Sequence, residues 1–207
     1  MKLPGHPLDA AGLDEEAARS EVYGLLALLY YAPPAIEWLA RLRIAETPPE
    51  AGGAQLQEPW RGVVALAREL SDAAIAAEYD ALFGGIGKPE VYLYGSHFLS
   101  GFLNEKPLAR LRADLVGIGV QRATSMSETE DHFAYLCEVM RHLIAESAHR
   151  GDTLRLQEGF FSTHIQPWAR SMCEAIERHP TAVFYAAVAR FTRAFLDVEA
   201  QGFDLLQ

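Results

Sequence analysis

Cysteine is almost missing from this chain: Cys137 and Cys173 are the whole complement in 207 residues. Neither stands in a CxxC or other metal-ligand spacing, which argues against a disulfide framework or a thiolate zinc site and leaves two buried thiols as the expectation. Long apolar runs are missing too. The stretch from Val22 to Ala32, bounded by Glu21 and Pro33, is too short to cross a bilayer and reads as a core helix, so no stable membrane insertion is expected. No charged segment followed by an apolar one and a small-residue cleavage site opens the chain, and the expected location is cytoplasmic. Positive charge is in deficit, with 18 basic against 28 acidic residues and a net charge of −10. A nucleic-acid backbone would be repelled, and no basic cluster offsets this.

Strand-like alternation is the next absence, whereas helical spacing runs through most of the sequence. Acids open a helix from Leu13 to Tyr31, and the prolines of "APP" stop it. Further helices are expected over Ala35–Arg43, in two short patterns between Trp60 and Phe83 with the potential to join, and over Glu105–Gly117. Others follow over Glu128–Ala148, Asp152–Ser162, Ile165–Arg178 and Thr181 to about Ala200. In the last, Phe184, Ala187, Val188, Phe191, Phe195 and Val198 form one apolar face. The glycine-rich, aromatic stretch Gly84–Gly101 reads as a loop with a short helix. Ala45–Pro59, with Pro48, Pro49, Gly52, Gly53 and Pro59, reads as a mobile loop. The expected architecture is all-α, a single compact irregular helical bundle over residues 1–207 with a mobile loop at 45–59.

The usual catalytic signatures are absent. "GGIGK", Gly84–Lys88, is too short to cradle a phosphate and carries no hydroxyl after its lysine. Ser96 followed directly by His97 is not a triad pattern. Glu138, His142 and His149 share a helical face without an HExxH motif and read as surface side chains, not ligands. No enzyme activity, metal or other cofactor is expected.

One stretch concentrates polar chemistry: "SETEDHFAYLCEVM", Ser127–Met140. Ser127 and Glu130 match a capping box, and Glu128, Glu130 and Asp131 suit the positive end of a helix dipole. His132 gains nothing from that dipole, which disfavours an imidazolium at a helix start. Capping accounts for the carboxylates and leaves the histidine unexplained.

The same stretch resembles the E-P-x-D-H motif of the TorD/DmsD/NarJ-type chaperones that mature molybdenum-containing oxidoreductases. Three other segments resemble that family's landmarks in the family's order. "RSEVYGLLALLYYAPP", Arg19–Pro34, is similar to its first helix. "AEYDALFGGIGKPEVYLYGSHFL", Ala77–Leu99, is similar to its E-Y-x-x-L-F helix end followed by a glycine turn and a G-S pair. "FFSTHIQPWARSM", Phe160–Met172, is similar to its H-x-x-P-W segment. The resemblance spans about residues 19 to 200. Thr129 and Leu93 stand where the family commonly has proline, and neither departure touches a group that must ionise or coordinate.

The resemblance implies a cytoplasmic chaperone whose partner is the catalytic subunit of a molybdopterin oxidoreductase. Such a chaperone binds the client's N-terminal leader, usually a twin-arginine signal, and delays export until the cofactor is inserted. A leader of that kind is cationic and then apolar, so its receptor needs planar acceptors for guanidinium groups and an apolar groove. The candidate leader contacts are Glu128, Glu130 and Asp131 for charge, Leu82, Phe83, Phe133 and Trp168 for the groove, and His132 to orient Asp131 or the leader backbone. Within the same family, an alternative is an assembly factor for a non-exported, membrane-anchored enzyme of the nitrate reductase type. A homodimer is also among the states the resemblance implies, with the stretch from Thr47 to Pro59 as its hinge.

Overall fold

In the computed structural model, the structure describes residues 15–47, 55–84, 88–103, 106–122, 127–147 and 153–205. Ten helices occur among them, in chain order α1 (Glu15–Tyr31), α2 (Ile36–Ile44), α3 (Gln57–Glu69), α4 (Asp72–Phe83), α5 (Gly95–Ser100), α6 (Lys106–Gly117), α7 (Phe133–Ser147), α8 (Thr153–His164), α9 (Gln166–Arg178) and α10 (Phe184–Asp204). The described residues are 76% helical and hold no strand, so the fold is all-α as the periodicity indicates. Two compact units divide it: Met1–Ala18 with Ala32–Val91 and Cys173–Gln207, and Arg19–Tyr31 with Tyr92–Met172.

In the first unit α3 packs on α2 and α10, and α4 packs on α10. Trp60 of α3, 1% exposed, meets Phe191 of α10 with ring centroids 5.4 Å apart. Tyr79 and Phe83 of α4 enclose Tyr185 in edge contacts at 5.7 and 5.1 Å. The helix ends are finished by charged side chains from elsewhere in the sequence. Val183, at the start of α10, has no capping side chain of its own; instead the Glu78 carboxylate of α4 accepts the N–H groups of Val183, Phe184 and Tyr185 at 2.8, 3.0 and 2.8 Å. Those are donors that a helix start otherwise leaves unpaired. At the opposite polarity, Arg43 donates to the carbonyls of Ala67 and Leu70 at the end of α3, while Arg68 donates to those of Arg43 and Ala45 at the end of α2. Each arginine places its cation where the neighbouring helix dipole is negative.

The second unit is built around α7, which is buried on nearly every side from Phe133 to Ile144 and packs on α8. Tyr23, Leu26 and Tyr30 of α1 and Phe161, Ile165 and Trp168 of the α8–α9 region complete its core. Gly119, at φ +76°, takes the left-handed conformation just past α6, the glycine stop that the sequence indicates.

Three boundaries are decided by the structure, the first of them left open by the sequence. α3 and α4 do not join, because Ser71 turns to extended backbone between them and caps α4, its Oγ accepting the Ala74 N–H at 3.2 Å. α3 starts at Gln57 and so takes in the last part of the stretch read as loop, with Pro59 in a first turn that needs no N–H. Residues 48–54 of that stretch lie outside the described residues, as do 85–87 of the glycine turn and His149. The third boundary, the start of α7, lies at the candidate site.

Candidate functional site

The helix expected from Glu128 begins instead at Phe133. The capping box does not form: the Ser127 hydroxyl donates to Glu128 at 3.2 Å, and the segment up to Asp131 is a turn. What prevails is pairing with the chain before α5. The Gly95 N–H donates to the Asp131 carbonyl at 2.9 Å and the Phe133 N–H to the Leu93 carbonyl at 2.8 Å, an isolated antiparallel bridge centred on Tyr94 and His132. Extended backbone at His132 is incompatible with a helix already running through it.

His132 then caps the helix that follows. Its Nδ1 accepts the Ala134 N–H at 3.2 Å, and its carbonyl accepts the N–H groups of Tyr135 and Leu136. An accepting Nδ1 puts the imidazole in its neutral form with the proton on Nε2. Burial favours the same form: at 4% exposure the imidazole is pushed down to about 4, against the opposing pull of Glu128 and Asp131. The helix dipole penalises an imidazolium and not a neutral acceptor, so the histidine is a cap after all. Tyr94 and Tyr31 close over the ring edge-on at 5.0 and 6.4 Å.

Asp131, 3% exposed, performs the same task for α5. Its Oδ2 accepts the Ser96 N–H at 2.9 Å, and its Oδ1 accepts the Thr129 hydroxyl at 2.6 Å. Glu130 faces the other way. Its Oε2 accepts both Nε and Nη2 of Arg112, at 3.0 and 2.8 Å, and Arg122 stands 3.9 Å from its Oε1. Burial pushes this carboxyl up, but the Arg112 hydrogen bond, a backbone hydrogen bond and the charges of both arginines outweigh it and hold the group below the usual carboxylate range. Glu128 is half-buried; it accepts the Tyr94 hydroxyl, and its backbone carbonyl accepts Arg122 Nη1 at 2.9 Å.

Behind this turn lies an aromatic layer. Phe133, fully buried, meets Tyr30 at 5.2 Å and Trp168 at 6.0 Å, and Trp168 stacks on Phe98 at 5.6 Å. The Trp168 indole N–H donates to the His164 carbonyl at 2.6 Å, while the His164 ring meets Asp114 at 2.8 Å. Gly95 fits here because a Cβ would lie only 3.0 Å from the indole nitrogen. All four landmarks read from the sequence contribute here: Tyr30 and Tyr31 of the first helix, the G-S pair, the D-H pair and the H-x-x-P-W segment meet around one turn of the second unit. Leu82 and Phe83 belong to the first unit, Leu82 fully buried and Phe83 half-buried among Tyr79 and Tyr185. Arg112, Arg122 and Tyr94, which engage the carboxylates, carried no sequence signal, since nothing in spacing ties residue 112 to residue 130.

Among the described residues, no group of three or more His, Cys, Asp and Glu side chains is placed to hold a metal ion. Glu138 pairs with Arg141 at 2.9 Å. No described helix is long and apolar enough to cross a membrane.

Comparison with known proteins agrees with the convergence of these motifs. A family model described as nitrate reductase delta subunit matches residues 50–174. "Chaperone protein TorD" of Vibrio cholerae serotype O1 is 28% identical in both the El Tor Inaba and the Classical Ogawa strains, over 91% of this chain and 93% of the relative. The protein of the same name from Aliivibrio salmonicida is 25% identical over 65% of this chain and 66% of its own length. These relatives are named as chaperones and not as enzymes. The chain belongs to the nitrate reductase delta subunit family, the TorD-type chaperones of molybdoenzyme maturation.

Proposed function

We propose that this chaperone acts in the cytoplasm on the catalytic subunit of a molybdopterin oxidoreductase. It binds the N-terminal leader, most simply one with paired arginines, and delays export until the cofactor is in place. The observation that carries this reading is the occupancy of Glu130: a mostly buried carboxylate on the family's signature turn receives a guanidinium through two N–H groups. A turn built to hold one guanidinium has the chemistry to hold another. Glu128 and Glu130 supply the acceptor oxygens. Asp131 and His132 keep the turn in shape through the Ser96 and Ala134 N–H groups, and Phe133 and Trp168 form its apolar backing.

An apolar surface for the rest of a leader lies on the same unit. α5 starts at the Asp131 carboxylate and ends, about 9 Å along its axis by the helical rise, at exposed Leu99, Phe102 and Leu103. Phe83, half-buried, is the candidate for a separate apolar contact on the first unit; Leu82, fully buried, is core beside it. The net charge of −10 supports capture of a cationic segment by steering.

Titration of a synthetic leader peptide carrying an Arg-Arg pair tests the proposal. Saturable binding is expected that weakens with salt, falls when the pair becomes Lys-Lys and falls in Glu128→Gln and Glu130→Gln with helicity retained. A peptide that binds equally well with both arginines replaced by alanine would sink it.

A second reading is favoured by the family model's own description. A nitrate reductase-type client need not be exported, and the same turn would then hold the N-terminus of a membrane-anchored enzyme. Affinity capture from the native cytoplasm separates the two: a client with an Arg-Arg leader supports the first, and a molybdoenzyme subunit without one supports the second.

A further inference from the structure

Arg112 and Arg122 reach the signature turn from outside it. Arg112 lies on α6 with its side chain 52% exposed, yet its Nε and Nη2 both donate to Glu130, whose side chain is 12% exposed. Arg122 covers the other Glu130 oxygen at 3.9 Å and donates to the Glu128 carbonyl at 2.9 Å. The field of Asp131 also acts on the Arg112 guanidinium. The chain's own cations therefore face both oxygens of Glu130, acceptors that a cationic leader would need.

Resting on the leader reading above, we propose that Arg112, assisted by Arg122, is an internal latch on this turn, a pseudo-ligand that an arginine-bearing leader displaces. The physical case lies in the unequal exposure of the partners. Glu130 is held in the protein and does not follow a departing cation into water; bare, it would be a mostly buried, unpaired carboxylate, a costly state. Arg112 is half in solvent already and loses little on swinging out. Exchange is thus favourable only when the incoming group replaces a guanidinium with another guanidinium. A lysine ammonium is a compact point charge without the planar fork, and it replaces the Nε and Nη2 pair poorly. The latch accordingly does two things: it keeps the turn closed to cations in general, and it makes arginine the competitor that opens it.

The experiment compares peptide affinity across three forms of the full chain. Arg112→Gln removes the latch. Arg110→Gln removes the same charge from the same helix; Arg110 pairs with Asp114 at 3.9 Å and not with Glu130, so this variant measures the loss of a charge that leaves the latch in place. Arg112→Gln is expected to bind the Arg-Arg peptide about ten-fold more tightly than the wild type, the scale of one charge-assisted hydrogen bond, and Arg110→Gln to gain far less. Discrimination between Arg-Arg and Lys-Lys peptides should narrow in Arg112→Gln. Tightening in Arg112→Gln no greater than in Arg110→Gln, with the wild type binding, overturns the latch and leaves the leader reading intact. Binding by none of the three forms removes the leader reading, and the latch with it. Should Arg112→Gln fail to fold, nitrogen-detected NMR of Arg112 Nε in the wild type decides. Displacement moves that resonance to the position of a solvent-exposed arginine as peptide is added, and an unmoved resonance at saturation overturns the latch.

Discussion

Both units of the molecule finish helix ends with side chains that are remote in sequence, but they do so in different surroundings. In the first, Glu78, Arg43 and Arg68 cap α10, α3 and α2 from exposed or partly exposed positions. In the second, two adjacent residues, Asp131 and His132, cap α5 and α7 from positions 3% and 4% exposed. A cap at the surface keeps its charge and is replaceable by water. A cap in the interior must either be neutral, as His132 is, or be surrounded by donors, as Asp131 is. The signature turn is therefore the part of the protein in which protonation and structure are tied most tightly.

The largest test of that contrast is pH. Unfolded, the imidazole of His132 titrates near an ordinary ~6.5; folded, burial holds it to about 4. Between those values the unfolded chain carries the additional proton. The contribution of His132 is whole above ~6.5 and is lost progressively toward pH 4, by roughly 3 kcal/mol. Urea midpoints at intervals through this range should fall accordingly. His132→Asn, which keeps a capping acceptor, should flatten the slope. The residual slope belongs in part to His164, also pushed down by burial against its Asp114 hydrogen bond. An unchanged slope in His132→Asn would place the proton uptake elsewhere.

The first unit provides the counterpart. Glu78→Ala strips three N–H groups at the start of α10 of their acceptor, and a loss of about 2 kcal/mol is expected. Leader affinity should be unchanged, because Glu78 belongs to the first unit. A Glu78→Ala variant as stable as the wild type would show that water caps α10 equally well.

The helices were legible because their apolar residues recur at helical spacing and because Pro33 and Gly119 end segments where backbone chemistry demands it. The signature turn was legible only as a location. Ser127 and Glu130 fit a local capping pattern, and the pattern lost to a bridge between His132 and Tyr94, with Leu93 and Gly95 beside it, remote in sequence, which no local window along the chain displays. His132 was misjudged for the same reason. Its dipole penalty applies to an imidazolium, and the burial that keeps the ring neutral is a tertiary property. Arg112 and Arg122 carry no signal in the sequence, and only the fold sets them against Glu130.

Gly95 is a smaller test, confined to the signature turn. In Gly95→Ala the methyl would lie 3.0 Å from Nε1 and 3.1 Å from Cε2 of Trp168, atoms of a rigid, buried ring whose N–H is tied to the His164 carbonyl. The ring must shift or the α5 backbone must retreat from Asp131, and about 1 to 2 kcal/mol of stability should be lost. Loss of leader affinity beyond the stability effect would show that Trp168 sets the shape of the turn. Unchanged affinity would confine its role to packing.

The smallest effect is expected at Ser71, and it sharpens the contrast because a local cap is removed without touching either remote set. Its Oγ accepts the Ala74 N–H at 3.2 Å at an exposed site. Ser71→Ala should cost about 1 kcal/mol, with no change in pH dependence and none in peptide binding. Water reaches this N–H, so part of the lost hydrogen bond is replaced, as it cannot be at Asp131. A cost at Ser71 equal to that of Asp131→Ala, measured by urea denaturation under one set of conditions, would mean that burial adds nothing to a cap and would remove the distinction drawn between the two units.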